Sequence, residues 1–178
     1  MNHTPSRIAV IGTSGSGKTT LARQISQRLR VPHIELDAIH WERGDWTPID
    51  PAEFQHRVAE AVRGERWVME GGYSLVRPLI WARADTVVWL DYPLPLTFAR
   101  LLRRTLGRIA SQDPLWGGNQ ETWTRTLSRD SILLWCLTSY SRKKRQFPAQ
   151  LAQPEYSHLR VLRFHSPRPT SAWLAKLR

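Results

Sequence analysis

The chain has 178 residues, a formal net charge of +11 and one cysteine. One cysteine excludes an internal disulfide and a cysteine-rich zinc site. The longest apolar run, residues 132–137, falls short of the roughly 20 residues that a membrane span requires. The length suits one domain with an insertion. We therefore expect a single cytoplasmic domain, 1–178, with no signal peptide and no membrane partner.

Charge is unevenly distributed along the chain. Residues 96–145 carry ten basic and three acidic side chains, whereas residues 31–70 carry nine acidic and four basic ones. One end of the fold is therefore expected to attract polyanions. Within the basic segment, we expect the run Arg142–Arg145 to be a solvated helix face and Cys136 to be a buried, inert thiol.

The first motif follows a short apolar run, Ile8–Ile11, which predicts a buried strand. Residues Gly12–Thr19 then read G-x-x-x-x-G-K-[ST], and apolar residues every four positions behind them predict a helix that begins near Lys18. This order is typical of a phosphate-binding loop. Its glycines let successive N–H groups turn toward a polyanion, and the helix N-terminus adds partial positive charge.

Two residues of this loop have predicted roles of their own. Lys18 is expected to reach the β- and γ-phosphates, and Thr19 to place its hydroxyl on Mg²⁺. The chain holds 4 lysines against 22 arginines, so a lysine here departs from the chain's preference and suits a point charge between phosphates. The predicted nucleotide-binding residues are Gly12, Thr13, Ser14, Gly15, Ser16, Gly17, Lys18, Thr19 and Thr20.

Beyond the loop, strand-like and helix-like segments alternate, which predicts an α/β fold with a parallel sheet and crossover helices. Glycines and a proline interrupt the pattern between residues 107 and 126, which indicates a mobile flap. The further predicted strands are Val31–Leu36, Arg66–Glu70, Thr86–Leu90 and Leu159–Phe164. The further predicted helices are one capped by Asp50, one over Leu96–Leu106, one over about Asp130–Phe147, and a short last one after Pro169–Thr170.

Three segments carry a resemblance to a known family: Leu36–Trp41, Trp67–Ser74 and Ala84–Asp91. With the phosphate-binding loop, they are similar to the adenylate-kinase-like branch of P-loop kinases, and within it to a bacterial group called DNA topology modulation or adenylate-kinase-like proteins. The resemblance implies a three-layer P-loop NTPase fold with a five-stranded parallel sheet in the order 2-3-1-4-5. It also implies an acceptor-binding segment, residues 38–63, and an inserted lid, residues 107–128.

The same resemblance implies roles for acidic residues at the ends of the predicted strands. Glu70 matches an acid that holds Mg²⁺, usually through water, at a position where this group more often has Asp. Asp37 matches an acid that stands beside the acceptor hydroxyl in related kinases. Glu35, two residues earlier in the predicted strand, is expected to point to the same side. Asp91, which precedes two prolines, is expected to form a turn.

Arginines in and around the predicted lid match a further element of the family. Arg104 and Arg108 occupy the R-x-x-G-R pattern that begins the lid, where arginines neutralise charge on the transferred phosphoryl group and exclude water. Arg125 and Arg129, on the far side of the flap, are weaker candidates for the same phosphates. The predicted catalytic residues are therefore Lys18, Asp37, Arg104 and Arg108, and the predicted metal ligands are Thr19 and Glu70.

These residues predict a phosphotransferase that uses ATP and Mg²⁺ and moves the γ-phosphoryl group to a small acceptor by positioning and charge neutralisation. Two acceptor classes stay open. A nucleoside monophosphate needs basic residues in its binding segment, where there are few, whereas Asp37 beside Gly71–Gly72 resembles kinases of hydroxylated metabolites. The basic residues of segment 31–70 are Arg43, Arg57, Arg63 and Arg66. The candidate walls of the acceptor pocket are Trp41, Trp46, Tyr73 and Trp81.

A different class of function is compatible with the same loop. A nucleic-acid-associated NTP-binding protein with weak NTPase activity would use the basic segment, with Trp116, Trp123 and Trp135, to hold backbone and bases. A nucleotide-binding protein without transfer activity is a third alternative. The sequence carries no signature of an oligomeric state.

Overall fold

Five segments form strands and eight form α-helices within the residues that the computed structural model describes, which are 5–42, 44 and 46–177. Arg43, one of the basic residues predicted for the acceptor segment, lies outside them. The strands are β1 (Arg7–Gly12), β2 (His33–Glu35), β3 (Trp67–Glu70), β4 (Thr86–Leu90) and β5 (Arg160–Phe164). The helices are α1 (Lys18–Leu29), α2 (Leu36–His40), α3 (Pro51–Ala61), α4 (Arg77–Arg83), α5 (Leu94–Ser111), α6 (Trp123–Thr126), α7 (Ile132–Leu151) and α8 (Pro167–Lys176).

The strands pair in parallel in the order β2-β3-β1-β4-β5, which confirms the predicted fold class and strand order. The central strand β1 pairs with β3 so that Val10 lies opposite Glu70, and with β4 so that Gly12 lies opposite Leu90. Because the strands are parallel, their carboxyl ends share one edge of the sheet, where open α/β folds bind ligands.

Alternate residues of the strands face two separate apolar layers, as the period of two requires. Ile8 and Val10 pack with the apolar stripe of α1 and with Leu174 of α8. Ala9 and Ile11 face the opposite layer, which contains residues of α3, α4 and α7. The sheet is therefore covered on both faces, which gives three layers. No helix of the described residues has the length and hydropathy to cross a membrane.

The second strand is shorter than predicted, which changes the position of Asp37. β2 ends at Glu35, and Leu36–His40 form a short helix, α2, with Asp37 in its first turn. The expectation that Glu35 and Asp37 alternate along one strand is therefore wrong. Leu36, the first residue of α2, is buried and packs closely against Gly71.

Further helices differ from the prediction: α6 lies inside the segment predicted as a flap, α7 ends at Leu151 instead of near Phe147, and α4 and α5 differ as follows. α4 has no counterpart in the predicted elements, because a seven-residue helix shows only two buried apolar residues, Ile80 and Trp81. α5 continues through Gly107 to Ser111, past the predicted end at Leu106. The buried side chain of Ile109 favours this continuation. Residues 107–111 are therefore helical, and the interrupted part of the lid segment begins after them.

A Gly107→Ala substitution tests the continuity of α5. A Cβ atom added at Gly107 meets no atom within 4 Å, and an interior glycine costs a helix about 0.5–1 kcal/mol relative to alanine. We expect the variant to raise the free energy of unfolding by about that amount in urea denaturation. Gly117→Ala is the matched control and should lower it, because its Cβ would overlap the carbonyl oxygen of Glu42. A destabilised Gly107→Ala protein would contradict a continuous helix.

Candidate active site

A cleft of about 1580 Å³ opens at the carboxyl edge of the sheet. Its walls come from the loop between β1 and α1, from the ends of β2 and β3, and from α5, α6 and α7. The predicted catalytic and metal-binding residues all line this one cleft: Lys18, Thr19, Asp37, Glu70, Arg104 and Arg108. Of the predicted nucleotide-binding residues, all but Thr13 line it.

The loop between β1 and α1 has the backbone conformation that the glycine spacing predicts. Gly12, Gly15 and Gly17 have φ angles of +153°, +78° and +95°, which residues with a Cβ rarely adopt. A Cβ at Gly15 would overlap the carbonyl oxygen of Thr97 in α5. The loop is thereby packed against α5, and its conformation places successive amides at the cleft.

Two hydroxyl groups of the loop are buried without a protein partner. Thr13 Oγ1 and Ser16 Oγ lie below the surface, and neither has a hydrogen bond to another group of the described residues. Buried polar atoms are ordinarily paired. Together with the turned amides of the loop, these hydroxyls leave hydrogen-bonding capacity of the kind that a polyphosphate uses.

Thr19 and Glu70 meet at the base of the cleft. Thr19 Oγ1 donates a hydrogen bond of 2.8 Å to Glu70 Oε1, which joins the first turn of α1 to the end of β3. Burial raises the pKa of the Glu70 carboxyl, while the charge of Lys18 and the bond from Thr19 act in the opposite direction. Hydroxyl and carboxylate oxygens are Mg²⁺ ligands, and Mg²⁺ sites usually draw their other ligands from phosphates and water. The two predicted metal ligands fit such a site.

Lys18 is the first residue of α1, and its side chain turns back toward the phosphate-binding loop. Its Nζ donates a hydrogen bond of 3.1 Å to the carbonyl oxygen of Thr13, so the ammonium group folds back over the phosphate-binding loop. This places a cation beside the buried hydroxyls of Thr13 and Ser16. Its position agrees with the predicted role toward a polyphosphate, which remains a prediction.

Asp37 faces the cleft from α2 and is held by a neighbouring tyrosine. Tyr73 Oη donates a hydrogen bond of 2.6 Å to Asp37 Oδ1. Burial and the nearby charge of Asp37 raise the pKa of the Tyr73 hydroxyl, so it stays protonated and donating. Among the described residues, Asp37 Oδ2 has no hydrogen bond, which leaves that oxygen available to a ligand.

Aromatic side chains wall this part of the cleft, as predicted for three of the four candidates. Trp41, Trp46 and Tyr73 line it. Trp81 does not line it: its side chain is 1% exposed and packs edge-on against Tyr156 in the core. Trp116, which the prediction assigned to nucleic acid, lines the cleft instead, and its Nε1 donates to Glu35 Oε2 at 3.1 Å.

Arginines converge on the cleft from both sides of the lid segment. Arg104 and Arg108 reach it from α5, and Arg125 and Arg129 from the far side of the flap. Arg108 lies 3.9 Å from Glu121, and burial together with the charge of Arg104 lowers the pKa of its guanidinium. The cleft thus gathers cations from separate parts of the sequence, although their roles remain predictions.

The lid segment packs directly on the predicted acceptor segment. Asn119, which is 1% exposed, donates to the carbonyl oxygens of Trp41 and Trp116 and accepts from the backbone N–H of Trp46. Gly117, at φ +64°, lies against the backbone of Glu42, where a Cβ would not fit. We call residues 116–119, with Trp41 and Trp46, the lid clasp. The clasp joins the two segments that the resemblance had separated.

Lys143 lines the cleft although the sequence predicts a surface position for it, and Arg23 and Arg100 line the cleft without having been predicted as site residues. The basic run predicts a solvated helix face for all four of its members, and Arg142, Lys144 and Arg145 fit that prediction in lying outside the buried core. Lys143 instead lines the cleft, where burial and the charges of Lys18 and Arg77 lower its pKa to about 8. The scarcity of lysine in this arginine-rich chain does not single out Lys143, because Lys144 and Lys176 share it and lie outside the cleft.

Asp91 and Cys136 have contacts that stabilise the fold and do not line the cleft. Asp91 accepts two hydrogen bonds, of 3.0 and 2.6 Å, from the guanidinium of Arg163 in β5. It therefore joins the end of β4 to the edge strand β5 by a salt bridge. The sequence predicted only a turn-forming role for this residue. Cys136 is fully buried in α7, as predicted, and burial raises the pKa of its thiol.

The strand order and the phosphate-binding loop are those of a P-loop kinase fold. The chain belongs to the AAA domain family, whose model matches residues 8–113, from β1 to the end of α5. A protein of Pyrococcus furiosus named "Putative adenylate kinase" is 30% identical over 102 residues, which cover 54% of this chain and 53% of that protein. The chain therefore spans about half the length of this curated relative.

Solved structures of similar fold are small-molecule kinases by name. Shikimate kinase from Bacteroides thetaiotaomicron has a TM-score of 0.56 at 18% identity, over 97% of this chain and 96% of that one. Shikimate kinase from Acinetobacter baumannii, in complex with shikimate, has a TM-score of 0.58 at 17% identity, over 97% and 90%. A gluconokinase from Sinorhizobium meliloti has a TM-score of 0.53 at 17% identity, over 99% and 95%. At these identities the likeness is one of fold.

Replacing Asn119 by alanine tests the lid clasp. The substitution removes the acceptor of the Trp46 amide, and losing one such buried bond costs about 1–3 kcal/mol. We expect the amide of Trp46 to exchange with deuterium at least about tenfold faster, measured by mass spectrometry or NMR. Gln120→Ala is the control, because its side chain donates at an exposed site to Gln112. Unchanged exchange at Trp46 in Asn119→Ala would contradict the clasp.

Proposed function

We propose that this protein is a Mg²⁺-dependent kinase that transfers the γ-phosphoryl group of ATP to a hydroxyl group of a small acceptor. One observation carries the proposal: the phosphate-binding loop, the hydrogen-bonded Tyr73–Asp37 pair and the arginines of α5 all line a single cleft. This arrangement supports in-line transfer between two bound molecules, which depends on positioning and on charge neutralisation.

The nucleotide end has the groups that ATP and Mg²⁺ require. The loop amides and Lys18 would bind the phosphates, and Thr19 with Glu70 would hold the metal, directly or through water. When bound, Mg²⁺ withdraws charge from the β- and γ-phosphate oxygens. The hydrogen bond between Thr19 and Glu70 supports this assignment, because it brings both metal ligands together before any ligand arrives.

The acceptor end has one carboxylate oriented for an alcohol. Tyr73 fixes Asp37 Oδ1, which leaves Oδ2 to accept a hydrogen bond from the acceptor hydroxyl. In that position Asp37 orients the attacking oxygen and takes its proton as that oxygen bonds to the γ-phosphorus and the bond from the γ-phosphorus to the departing oxygen of ADP breaks. A hydroxylated acceptor is favoured over one that offers a phosphate oxygen, since a carboxylate beside an incoming phosphate would repel it.

The arginines act on the charge that develops during transfer. Arg104 and Arg108 line the cleft from α5, and Arg125 and Arg129 line it from the segment that follows the lid residues 116–119. Fixed cations at the equatorial oxygens stabilise the transition state more than the ground state. Cation–π contacts with Trp116 and Trp46 support the positions of Arg108 and Arg125.

A second candidate function has its own observation. Trp123 and Trp135 are 57% and 47% exposed, and the guanidinium of Arg142 lies 5.3 Å from the Trp135 ring. Exposed aromatic and basic side chains bind single strands by stacking and phosphate contact. This surface supports the alternative of an NTP-binding protein of the DNA topology modulation type, whose affinity for DNA would fall steeply between low and moderate salt.

A coupled assay of ADP release separates the two candidates. The purified protein with Mg²⁺ and ATP is screened against sugars, sugar acids, shikimate-like alcohols and nucleoside monophosphates. Acceptor-dependent ADP release identifies a kinase. Slow hydrolysis that no acceptor accelerates, together with salt-sensitive binding of oligonucleotides, identifies the second candidate.

Lys18→Ala tests the nucleotide end. Removing one preorganised cation from the transferring phosphates should lower kcat/KM by at least about 10²-fold in the ADP-release assay. Lys144→Ala is the matched control, because that lysine is exposed on α7 outside the cleft and should leave turnover unchanged. Full turnover in Lys18→Ala would remove this residue from the mechanism.

Asp37→Asn tests the acceptor end. The amide keeps the shape of the side chain but cannot take a proton, so kcat should fall by about 10²–10⁴-fold, whereas ATP binding measured by calorimetry should stay the same. Tyr73→Phe keeps the carboxylate and loosens its orientation, so its loss in kcat should be smaller. Undiminished kcat in the Asp37→Asn variant would refute a role as proton acceptor.

A further inference from the structure

Lys143 is the one member of the basic run 142–145 that lines the cleft. It lies seven residues after Cys136 and four before Phe147, both fully or almost fully buried, so it belongs to the inward face of α7. Its neighbours Arg142 and Lys144 fall on the exposed face. The helix therefore directs a single ammonium group of this run into the cleft.

The ammonium group lies beside the segment that carries the acceptor end. A Cβ added to Gly72 would be 3.5 Å from Lys143 Nζ, and Gly72 immediately precedes Tyr73, the partner of Asp37. A Cβ at that distance would be in ordinary van der Waals contact with the ammonium group, so Lys143 lies directly against this segment. The ring of Trp135 also lies near the ammonium group of Lys143, with its centroid 5.7 Å from Nζ.

No carboxylate in the described part of the chain forms a salt bridge with Lys143. The charged groups that act on it are Lys18, Arg77 and Arg142, which disfavour its charge, and Asp37, which favours it. The cation is thus held among other cations, with Asp37 as the nearby counter-charge, and its pKa of about 8 keeps it mostly protonated at pH 7. A buried cation without a paired anion is costly unless a ligand supplies one.

The cations of the cleft come from different elements. Lys18 begins α1 and Arg104 and Arg108 belong to α5, and the proposed function assigns these three to the phosphates of ATP, although the charges of Asp37 and Glu35 also act on Arg108. Lys143 approaches from α7, against the Gly72–Tyr73 segment. Its partner is therefore expected to belong to the molecule that lies against Asp37.

We propose that Lys143 is a specificity-determining residue that binds an anionic substituent of the acceptor, so that the acceptor is a hydroxylated molecule carrying a carboxylate or phosphate away from the reacting hydroxyl. This inference rests on the proposed function and extends it to a substrate class. Asp37 recognises the hydroxyl, and Lys143 recognises the anion. A neutral alcohol would leave the half-buried ammonium group without a salt-bridge partner.

Competitive acetylation tests this without requiring turnover. The full chain has lysine at 18, 143, 144 and 176, and acetic anhydride modification of each is measured by mass spectrometry with a non-hydrolysable ATP analogue and Mg²⁺ present. Three anionic probes are compared with neutral counterparts: shikimate with its methyl ester, gluconate with glucose, and AMP with adenosine. The first two pairs report on a carboxylate and the third on a phosphate.

We expect one anionic probe at saturation to slow acetylation of Lys143 by at least about fivefold, and its neutral counterpart to have little effect. Lys144 and Lys176 serve as internal controls and should not respond. Protection of Lys143 by the ATP analogue alone would overturn the proposal, because it would place the ammonium group on the nucleotide. Lack of protection by every probe would overturn it as well.

Variants add a kinetic readout. Lys143→Met should raise the KM of the protecting acceptor by about 10–100-fold, the range for a lost hydrogen bond to a charged group, and should leave the KM of ATP unchanged. Lys143→Arg should restore most of the affinity, and Lys144→Met is the matched control. A fall in kcat at constant acceptor KM would contradict a binding role.

Failure of the proposed function gives a different pattern. In that case no acceptor would accelerate ADP release, whatever happens at Lys143; protection of Lys18 by the ATP analogue reports only on nucleotide binding, which the second candidate function shares. Protection of Lys18 without protection of Lys143 would leave the nucleotide site standing and refute only the anionic acceptor. The acetylation experiment uses the unmodified chain, so it decides the matter even where Lys143→Met does not fold.

Discussion

The hydrogen bond from Thr19 to Glu70 is the contact on which the rest of the cleft depends. It exists because β1 and β3 pair with Val10 opposite Glu70, which sets the carboxylate beside the first turn of α1. A carboxylate that is 2% exposed needs a donor or a cation, and Thr19 and Lys18 meet that need. The loop is thereby fixed to the neighbouring strand on one side and, through Gly15, to α5 on the other.

The acceptor end is built by a different kind of contact. Where the loop is anchored by strand register, the Tyr73–Asp37 pair and the lid clasp depend on side chains from segments far apart in sequence. Glu35 belongs to both ends, because it accepts from Trp116 of the lid and lies 3.8 Å from Arg23 of α1. A movement of the lid segment would therefore change the contacts of Glu35 with Arg23 of α1 and those of the lid clasp with the acceptor segment.

The sequence predicted the parts of the structure that local rules determine. The parallel sheet, the glycine loop and the Asp50 cap of α3 follow from periodicity, glycine spacing and capping preference, whereas the strand order was implied by the family resemblance. The prediction places Asp37 on a strand because a five-residue helix leaves no period to detect. It ends α5 before Gly107, although one interior glycine costs only about 1 kcal/mol. It leaves Lys143 on the surface because the direction of that side chain depends on which face of α7 packs inward, a tertiary property.

The placement of tryptophan has a practical consequence. Trp67, Trp81 and Trp89 are buried in the core, at 1%, 1% and 3% exposure, whereas Trp41, Trp46, Trp116 and Trp135 line the cleft. The indoles of the core would contribute a steady emission background that ligands leave untouched. Those of the cleft would change their polarity and quenching whenever a molecule enters, so the protein carries its own optical reporter of occupancy and needs no attached dye.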